Sequence, residues 1–149
     1  CAVLAPLLKA LDEYMQYHNS SEHLVIDFSS VEQMQKQMMN RLLELIGKFR
    51  AELKLLFFNA EGTSLEGYRD RLTKQQTQLG MEYLQMLKQK YPQLHVDISP
   101  FLMYIVCSMW TSALFEIVKH EELTEAEITK FFAEYFEFSV AGWRKLMKA

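Results

Sequence analysis

Apolar residues recur at intervals of three and four along almost the whole chain, the spacing that places them on one face of an α-helix. No segment alternates apolar and polar residues over the length of a strand with turn residues at its ends. The pattern therefore predicts an all-α fold with five to six helices.

The first two predicted helices differ in how they begin. The apolar stripe of the first helix already begins at Val3, without a capping residue before it, and continues to His18. The second opens with a capping box in which Ser29 is the N-cap and Glu32 lies three residues later. Gly47 lies in the middle of the second pattern and costs about 1 kcal/mol relative to alanine. We expect a break or a kink there.

The third and fourth predicted helices also carry start signals. The third opens with the capping box Thr63–Glu66 and stops before Pro92. The fourth opens with Ser99 as N-cap and Pro100 at the first helical position, and runs to about His120. The apolar stripe of the third helix comprises Leu65, Tyr68, Leu72, Leu79, Tyr83, Met86 and Leu87.

The fifth predicted helix is apolar on more than one face. It opens with a capping box from Thr124 to Glu127 and continues to about Lys148. The fourth helix is also apolar all round, and we expect it to be buried on most sides. A helix that is apolar on two sides must be covered on two sides. The simplest cover for the last helices is a second copy of the chain in a two-fold dimer; the alternative is an internal core without a dimer.

Composition and charge narrow the class of protein. The chain has 149 residues and a formal net charge of −3, from 16 Lys+Arg and 19 Asp+Glu. This balance argues against a free-standing nucleic-acid binder, which carries a basic face. The uncharged stretch from Ile98 to Phe115 is interrupted by serine, threonine and proline, so we interpret it as a core helix and expect no membrane span. The start of the sequence lacks a basic segment followed by an apolar run, so we expect no signal peptide there.

The two cysteines, Cys1 and Cys107, form neither a disulfide framework nor a metal site, and they suit a reducing, cytoplasmic compartment. None of the four histidines has the spacing of a metal-binding motif. No catalytic constellation and no phosphate-binding loop is recognisable. We therefore expect no enzyme activity, no metal and no cofactor. Because the first residue is not methionine, we expect the chain to be a fragment.

A polar interruption on the third helix suggests a small-molecule pocket. Gln75 and Gln76 fall on the same face as Leu72 and Leu79, and methionine and aromatic residues stand on neighbouring predicted helices. Adaptable apolar walls with a few amides suit a ligand site. The alternative is that the glutamines form a solvated face and the methionines belong to an ordinary core.

Four stretches of the chain are informative beside the order of the helices: residues 2–8, residues 61–68, Ser99-Pro100 and residues 138–146. With that helix order, they resemble the C-terminal regulatory domain of TetR-type transcriptional repressors. Residues 2–8 resemble the linker helix of that family, and residues 61–68 resemble the start of its long central helix. Ser99-Pro100 resembles the start of the penultimate helix, and residues 138–146 resemble the close of the last one. The resemblance covers essentially all 149 residues. Pro6, inside the first helix, departs from the family pattern.

This resemblance implies an assembly and a mechanism. Family members are antiparallel helical bundles that dimerise through their last two helices, which form a four-helix bundle with those of the second copy. A helix-turn-helix domain precedes the linker helix and binds operator DNA; it is missing from this chain. A small ligand binds between the linker, long and penultimate helices. The linker helix then changes the separation of two DNA-reading heads, whose half-sites lie about 34–36 Å apart.

The resemblance and the helical faces together suggest two groups of residues. We expect an apolar or aromatic effector, and the candidates for its pocket are Met38, Phe57, Tyr68, Gln75, Gln76, Tyr104 and Cys107. The candidates for the dimer interface are Phe115, Phe131, Tyr135, Phe138, Gly142 and Trp143. The competing hypothesis is a stand-alone helical dimer that carries an apolar small molecule, or an interaction module, without DNA binding.

Overall fold

The computed structural model describes residues 4–10, 13, 31–59, 61–63 and 67–148, without the side chains of residues 31, 32 and 34. Within these ranges the backbone forms five helices and no strand, which confirms the all-α prediction. Helix α1 includes residues 5–10 and 13. The other helices are α2 (Val31–Phe58), α3 (Tyr68–Lys90), α4 (Pro100–Lys119) and α5 (Glu125–Met147).

The starts of α4 and α5 agree with the capping signals in the sequence. The hydroxyl of Ser99 accepts a hydrogen bond from the backbone N–H of Leu102 at 3.1 Å. At α5, the hydroxyl of Thr124 accepts from the backbone N–H of Glu127 at 3.2 Å, and the Glu127 carboxylate accepts from the Thr124 N–H at 2.7 Å. Side-chain acceptors thus satisfy helix N–H groups that have no carbonyl partner in the first turn.

Helix α3 begins later than the capping box Thr63–Glu66 predicts. It starts at Tyr68, after Gly67 with φ = 76°, a left-handed conformation that a continuous helix does not contain. Residues 64–66 of that box lie outside the described residues. The capping box from Ser29 to Glu32 and most of the apolar stripe up to His18 also lie outside them.

Helix α2 is kinked, but not at Gly47. The non-helical residue is Phe49, with φ = −123° and ψ = 24°. A Cβ atom at Gly47 would meet nothing within 4 Å, so no close packing requires a glycine there. Phe49 is buried and lies two residues after Gly47.

The chain divides into two compact units. The first consists of the chain up to Tyr68 together with Val118–Glu121. The Arg50 guanidinium donates a 2.9 Å hydrogen bond to the carbonyl oxygen of Val118, and Lys54 forms an ion pair with Glu121. On α2, the buried apolar residues of this unit follow one another at intervals of four and three. They are Leu42, Ile46, Phe49, Leu53 and Leu56.

The second unit consists of Arg69–Ile117 and Glu122–Ala149. Its described core contains apolar residues from α3, from the segment before α4, and from α4 and α5. The end of α5 is attached to this core, because the His95 N–H donates to the Met147 carbonyl at 3.0 Å. The buried residues of the unit are Thr73, Leu84, Leu87, Leu94, Ile98, Met103, Thr111, Phe115, Ile117, Ile128, Phe132 and Met147.

The buried face of α3 differs from the predicted stripe. Thr73 and Leu84 are buried, whereas Leu72 and Leu79 are only half-buried. The Thr73 hydroxyl donates to a backbone carbonyl of its own helix, which removes most of the cost of burying it. The predicted stripe therefore includes one of the three buried residues of α3, Leu87, and misses the other two, Thr73 and Leu84.

Helix α4 is less buried than its composition suggested. By length and composition it meets the test for a membrane-crossing helix, with a mean hydropathy of 1.7, a test that core helices also meet. Only 33% of its most apolar window is buried. Phe101 is 72% exposed, and Ile105 and Met109 are also exposed. The expectation that α4 is buried on most sides is wrong for the single chain.

Candidate functional site

Helices α3 and α4 meet along a line of hydroxyl groups. Thr73 of α3 and Thr111 of α4 are both buried, and their hydroxyl oxygens lie 3.4 Å apart. Thr73 donates to the carbonyl of Arg69 at 3.0 Å, and Thr111 donates to the carbonyl of Cys107 at 2.9 Å. We call Thr73, Thr77, Cys107 and Thr111 the hydroxyl seam.

The seam continues to Thr77 and to a close approach of the two helices. Thr77 donates to the carbonyl of Thr73 at 2.7 Å. One turn further along α3, a Cβ atom at Gly80 would lie 2.6 Å from the sulfur of Met103. Glycine is therefore needed for this spacing, unless the flexible Met103 side chain moves. The polar groups of the seam and the apolar contact at Gly80 share one face of α3.

Cys107 contributes a thiol to the hydroxyl seam. Burial raises the pKa of its thiol, while a hydrogen bond with the Thr77 side chain acts in the opposite direction and lowers it. The net shift is upward, so the thiol is protonated at neutral pH. Since the thiolate is the nucleophilic form, this environment does not favour nucleophilic chemistry.

Arg69 lies at the start of α3, at the other end of the seam. Its guanidinium donates a hydrogen bond to the Ser112 hydroxyl and lies over the Phe115 ring, 4.6 Å from the ring centre. These two contacts attach the first turn of α3 to α4. A cation over an aromatic face contributes about 0.5–2 kcal/mol, depending on how far it is desolvated.

The predicted pocket residues divide between the two units. Gln75 is exposed, and Gln76, Tyr104 and Cys107 are half-buried in the second unit. Met38, Phe57 and Tyr68 are half-buried and belong to the first. Of the second-unit group, only Cys107 is part of the hydroxyl seam.

Sequence reasoning missed the threonines of the seam. Thr77 follows Thr73 four positions later, and Thr111 follows Cys107 at the same spacing. Each pair therefore lies on one face of its helix. That spacing is visible in the sequence, but threonine is mostly a surface residue, so the spacing alone does not indicate burial.

A groove of about 350 Å³ lies in the first unit, next to the kink of α2. Apolar residues and equal numbers of acidic and basic side chains line it, and the Lys48 ammonium lies 5.2 Å from the Phe49 ring centre. Its size falls at the lower end of small-molecule sites. The lining residues are Ala10, Glu13, Arg41, Glu44, Leu45, Lys48 and Phe49.

Helices α4 and α5 pack through an aromatic cluster. The ring of Trp110 lies 5.7 Å from Phe132, 5.3 Å from Tyr135 and 6.0 Å from Phe136, measured between ring centres. Burial raises the pKa of the Tyr135 phenol, and a hydrogen bond with Ser139 partly offsets this rise. This cluster explains part of the aromatic content of α5 without a second chain.

Several other apolar side chains remain uncovered on the same two helices. On α5, Phe138 is 70% exposed, and Phe131 and Leu146 are exposed as well. Among the predicted interface residues, Gly142 is exposed and Tyr135 and Trp143 are half-buried. Phe115 is 3% exposed and lies inside the second unit, so its ring offers almost no surface to another chain.

No group of three or more potential metal ligands is found among the described residues. Comparison with protein-family models, with curated proteins and with solved structures finds no match to this chain. Any assignment of function must therefore come from the chain itself.

Proposed function

We propose that the chain is the effector-binding and dimerisation domain of a TetR-like transcriptional regulator. The observation that carries this proposal is the exposure of apolar side chains on α4 and α5, above all Phe101 and Phe138. Large apolar surfaces of this kind mark interaction sites. A second copy that pairs its own α4 and α5 with these faces would cover them in a four-helix arrangement.

The dimer is tested by sedimentation equilibrium of the purified chain between 1 and 100 μM. We expect about twice the monomer mass at the upper end of this range. Double substitution of Phe101 and Phe138 by serine should give the monomer mass, while Phe58→Ser, at an exposed position on α2, should leave the dimer intact. A wild-type chain that is monomeric at every concentration would contradict the dimer.

The hydroxyl seam favours an effector site in the second unit. Half-buried Gln76, Tyr104 and Cys107 would supply apolar walls and polar anchors for a small aromatic or apolar molecule. The threonine hydroxyls already donate to backbone carbonyls, so their remaining lone pairs would accept hydrogen bonds from the effector. Effector binding would change the affinity for operator DNA through the linker helix and the preceding helix-turn-helix domain.

Effector binding is tested by screening small aromatic and aliphatic compounds for an increase in the melting temperature of the chain. Any compound that stabilises the wild type is then titrated against Gln76→Ala and Tyr104→Ala. We expect weaker binding to both variants and no change for Gln78→Ala, an exposed neighbour that is bonded to Glu82. If Gln76→Ala and Tyr104→Ala both bind as the wild type does, the pocket assignment is wrong.

The second candidate is a carrier of an apolar small molecule, or an interaction module, without DNA binding, and the groove beside Phe49 favours the carrier. The two functions differ in the reading frame upstream of residue 1. Three short helices with a basic recognition helix would support the regulator. A start codon within a few residues would support the carrier or the interaction module.

A further inference from the structure

The outward face of α5 carries a stripe of exposed residues that includes one acidic and one basic side chain. The stripe consists of Phe131, Glu134, Phe138, Ala141 and Lys145, all exposed and separated by three or four residues. Such spacing forms the seam along which two helices pack together. An acidic residue precedes Phe138 on this stripe, and a basic residue follows Ala141.

Small side chains leave open space beside the most exposed ring of the stripe, at Ala141 and Gly142, and we call this space the notch. Ala141 and Gly142 are exposed, and a Cβ atom at Gly142 would meet nothing within 4 Å. Glycine weakens a helix relative to alanine, and no neighbour within the described residues needs its missing side chain. The notch therefore has space for a large side chain from outside the chain, and Phe138 is a side chain of that kind.

We propose that the α5 helices of two copies pair antiparallel across a two-fold axis that passes between Phe138 and Ala141. Glu134 then forms an ion pair with Lys145 of the second copy, and the Phe138 ring enters the notch at Ala141 and Gly142 of that copy. This inference rests on the proposed homodimer and defines its register.

The charges select this orientation. In a parallel pair, Glu134 would face Glu134 and Lys145 would face Lys145, so like charges would meet at both ends. The proposed axis lies midway between positions 134 and 145. In the antiparallel pair, each Glu134 therefore faces Lys145 of the other copy. Both ion pairs of the isologous interface then join opposite charges.

The proposed ion pair cannot form within one chain. Glu134 and Lys145 are eleven residues apart on one helix, about 16 Å along its axis. Within the chain, Glu134 contacts Lys130 at 3.7 Å, and both side chains of that pair are exposed. Any energetic coupling between positions 134 and 145 must therefore arise between two copies.

The test uses charge reversal in the full chain, followed by sedimentation equilibrium. In Glu134→Lys and in Lys145→Glu, both contacts join like charges, and we expect the dimer dissociation constant to rise about tenfold to a hundredfold. An equimolar mixture of the two variants restores both opposite-charge contacts, so it should dimerise as tightly as the wild type. Glu82→Lys, an exposed reversal on α3 with the same change in net charge as Glu134→Lys, serves as the control for that variant and should have no effect.

The notch is tested by comparing two exposed glycines, Gly142 on α5 and Gly47 on α2. Gly142→Ala and Gly47→Ala both add a methyl group that meets nothing within 4 Å in the single chain. Both should therefore raise the melting temperature of the monomer. Only Gly142→Ala should weaken the dimer, because only that methyl group occupies the space assigned to Phe138 of the second copy.

The outcomes separate this inference from the proposed function. A monomeric wild-type chain would overturn both the homodimer and the pairing. A wild-type dimer that tolerates both single charge reversals would overturn the pairing and leave the homodimer in place. Weakened single variants whose mixture stays monomeric would also overturn the pairing, because the loss would then come from within each chain.

Discussion

Lys148 ends α5 in the left-handed backbone conformation, with φ = 57° and ψ = 39°. A side chain in this region costs about 1 kcal/mol, a cost that glycine avoids. We expect Lys148→Gly to raise the free energy of unfolding by about 0.5–1 kcal/mol in urea denaturation. The same change inside a helix, Lys74→Gly on α3, should lower it by about 1 kcal/mol. A loss of stability in both variants would contradict this interpretation.

Tyr83 makes the stability of the fold depend on alkaline pH. Burial raises the pKa of its phenol above the ordinary value of 10.0, and the nearby Tyr91 raises it further. The folded state therefore holds this proton more strongly than the unfolded state does. The stabilisation is fully present below pH 10, and it is lost as the pH rises through the pKa of the folded state.

We expect the free energy of unfolding, measured in urea, to fall between pH 9 and pH 11. The decline should be shallower in Tyr83→Phe, which has no proton to lose. It should not vanish, because burial also raises the pKa values of Cys107 and Tyr135. Equal slopes for the wild type and the variant would show that Tyr83 does not contribute.

Single residues also show what the sequence could not reveal. Thr73 and Thr111 are polar by composition, but each hydroxyl is satisfied by a carbonyl four residues earlier. Their burial depends on where α4 meets α3, which the sequence of α3 alone does not contain. The cap at Thr124 could be predicted because all its atoms lie within four residues.

The capping box at Thr124 stabilises the start of α5. We expect Thr124→Ala to lower the free energy of unfolding by about 1 kcal/mol, because the Glu127 N–H loses its acceptor. Thr124→Ser keeps the hydroxyl and should stay within about 0.5 kcal/mol of the wild type. Urea denaturation of the three proteins checks this order, and equal losses in both variants would contradict it.

Helix positions were predictable where local chemistry decides them. Ser99 and Thr124 begin α4 and α5 as expected. The kink of α2 was placed at Gly47, because a lone glycine is the usual local signal, yet it lies at the buried Phe49. The start of α3 was placed too early because the positive φ of Gly67 is not encoded in a capping pattern.

Which faces of α4 and α5 stay exposed depends on how the whole molecule packs. The sequence showed that both helices are apolar on more than one side, but it did not show which residues the single chain leaves uncovered. Phe115 was assigned to the dimer interface and is instead covered by Arg69. Phe101, which was not assigned, is one of the two most exposed phenylalanines among the residues that the structure describes.

If a second copy covers these faces, the stability of the molecule must depend on protein concentration. A hundredfold increase in concentration adds about 2.7 kcal/mol to the free energy of unfolding of a dimer. For two chains of this length, we expect the melting temperature to rise by about 4 °C. Differential scanning calorimetry at 2 and 200 μM measures this shift.

Two variants test which surface makes the melting temperature depend on protein concentration. Phe138→Ser removes a ring that is 70% exposed, so it should abolish the shift and lower the melting temperature more at 200 μM than at 2 μM. Phe58→Ser, at another exposed phenylalanine, should keep the shift. A melting temperature that is independent of concentration in the wild type would mean that this surface stays uncovered up to 200 μM. Loss of the shift in both variants would mean that removal of any exposed aromatic ring weakens the association.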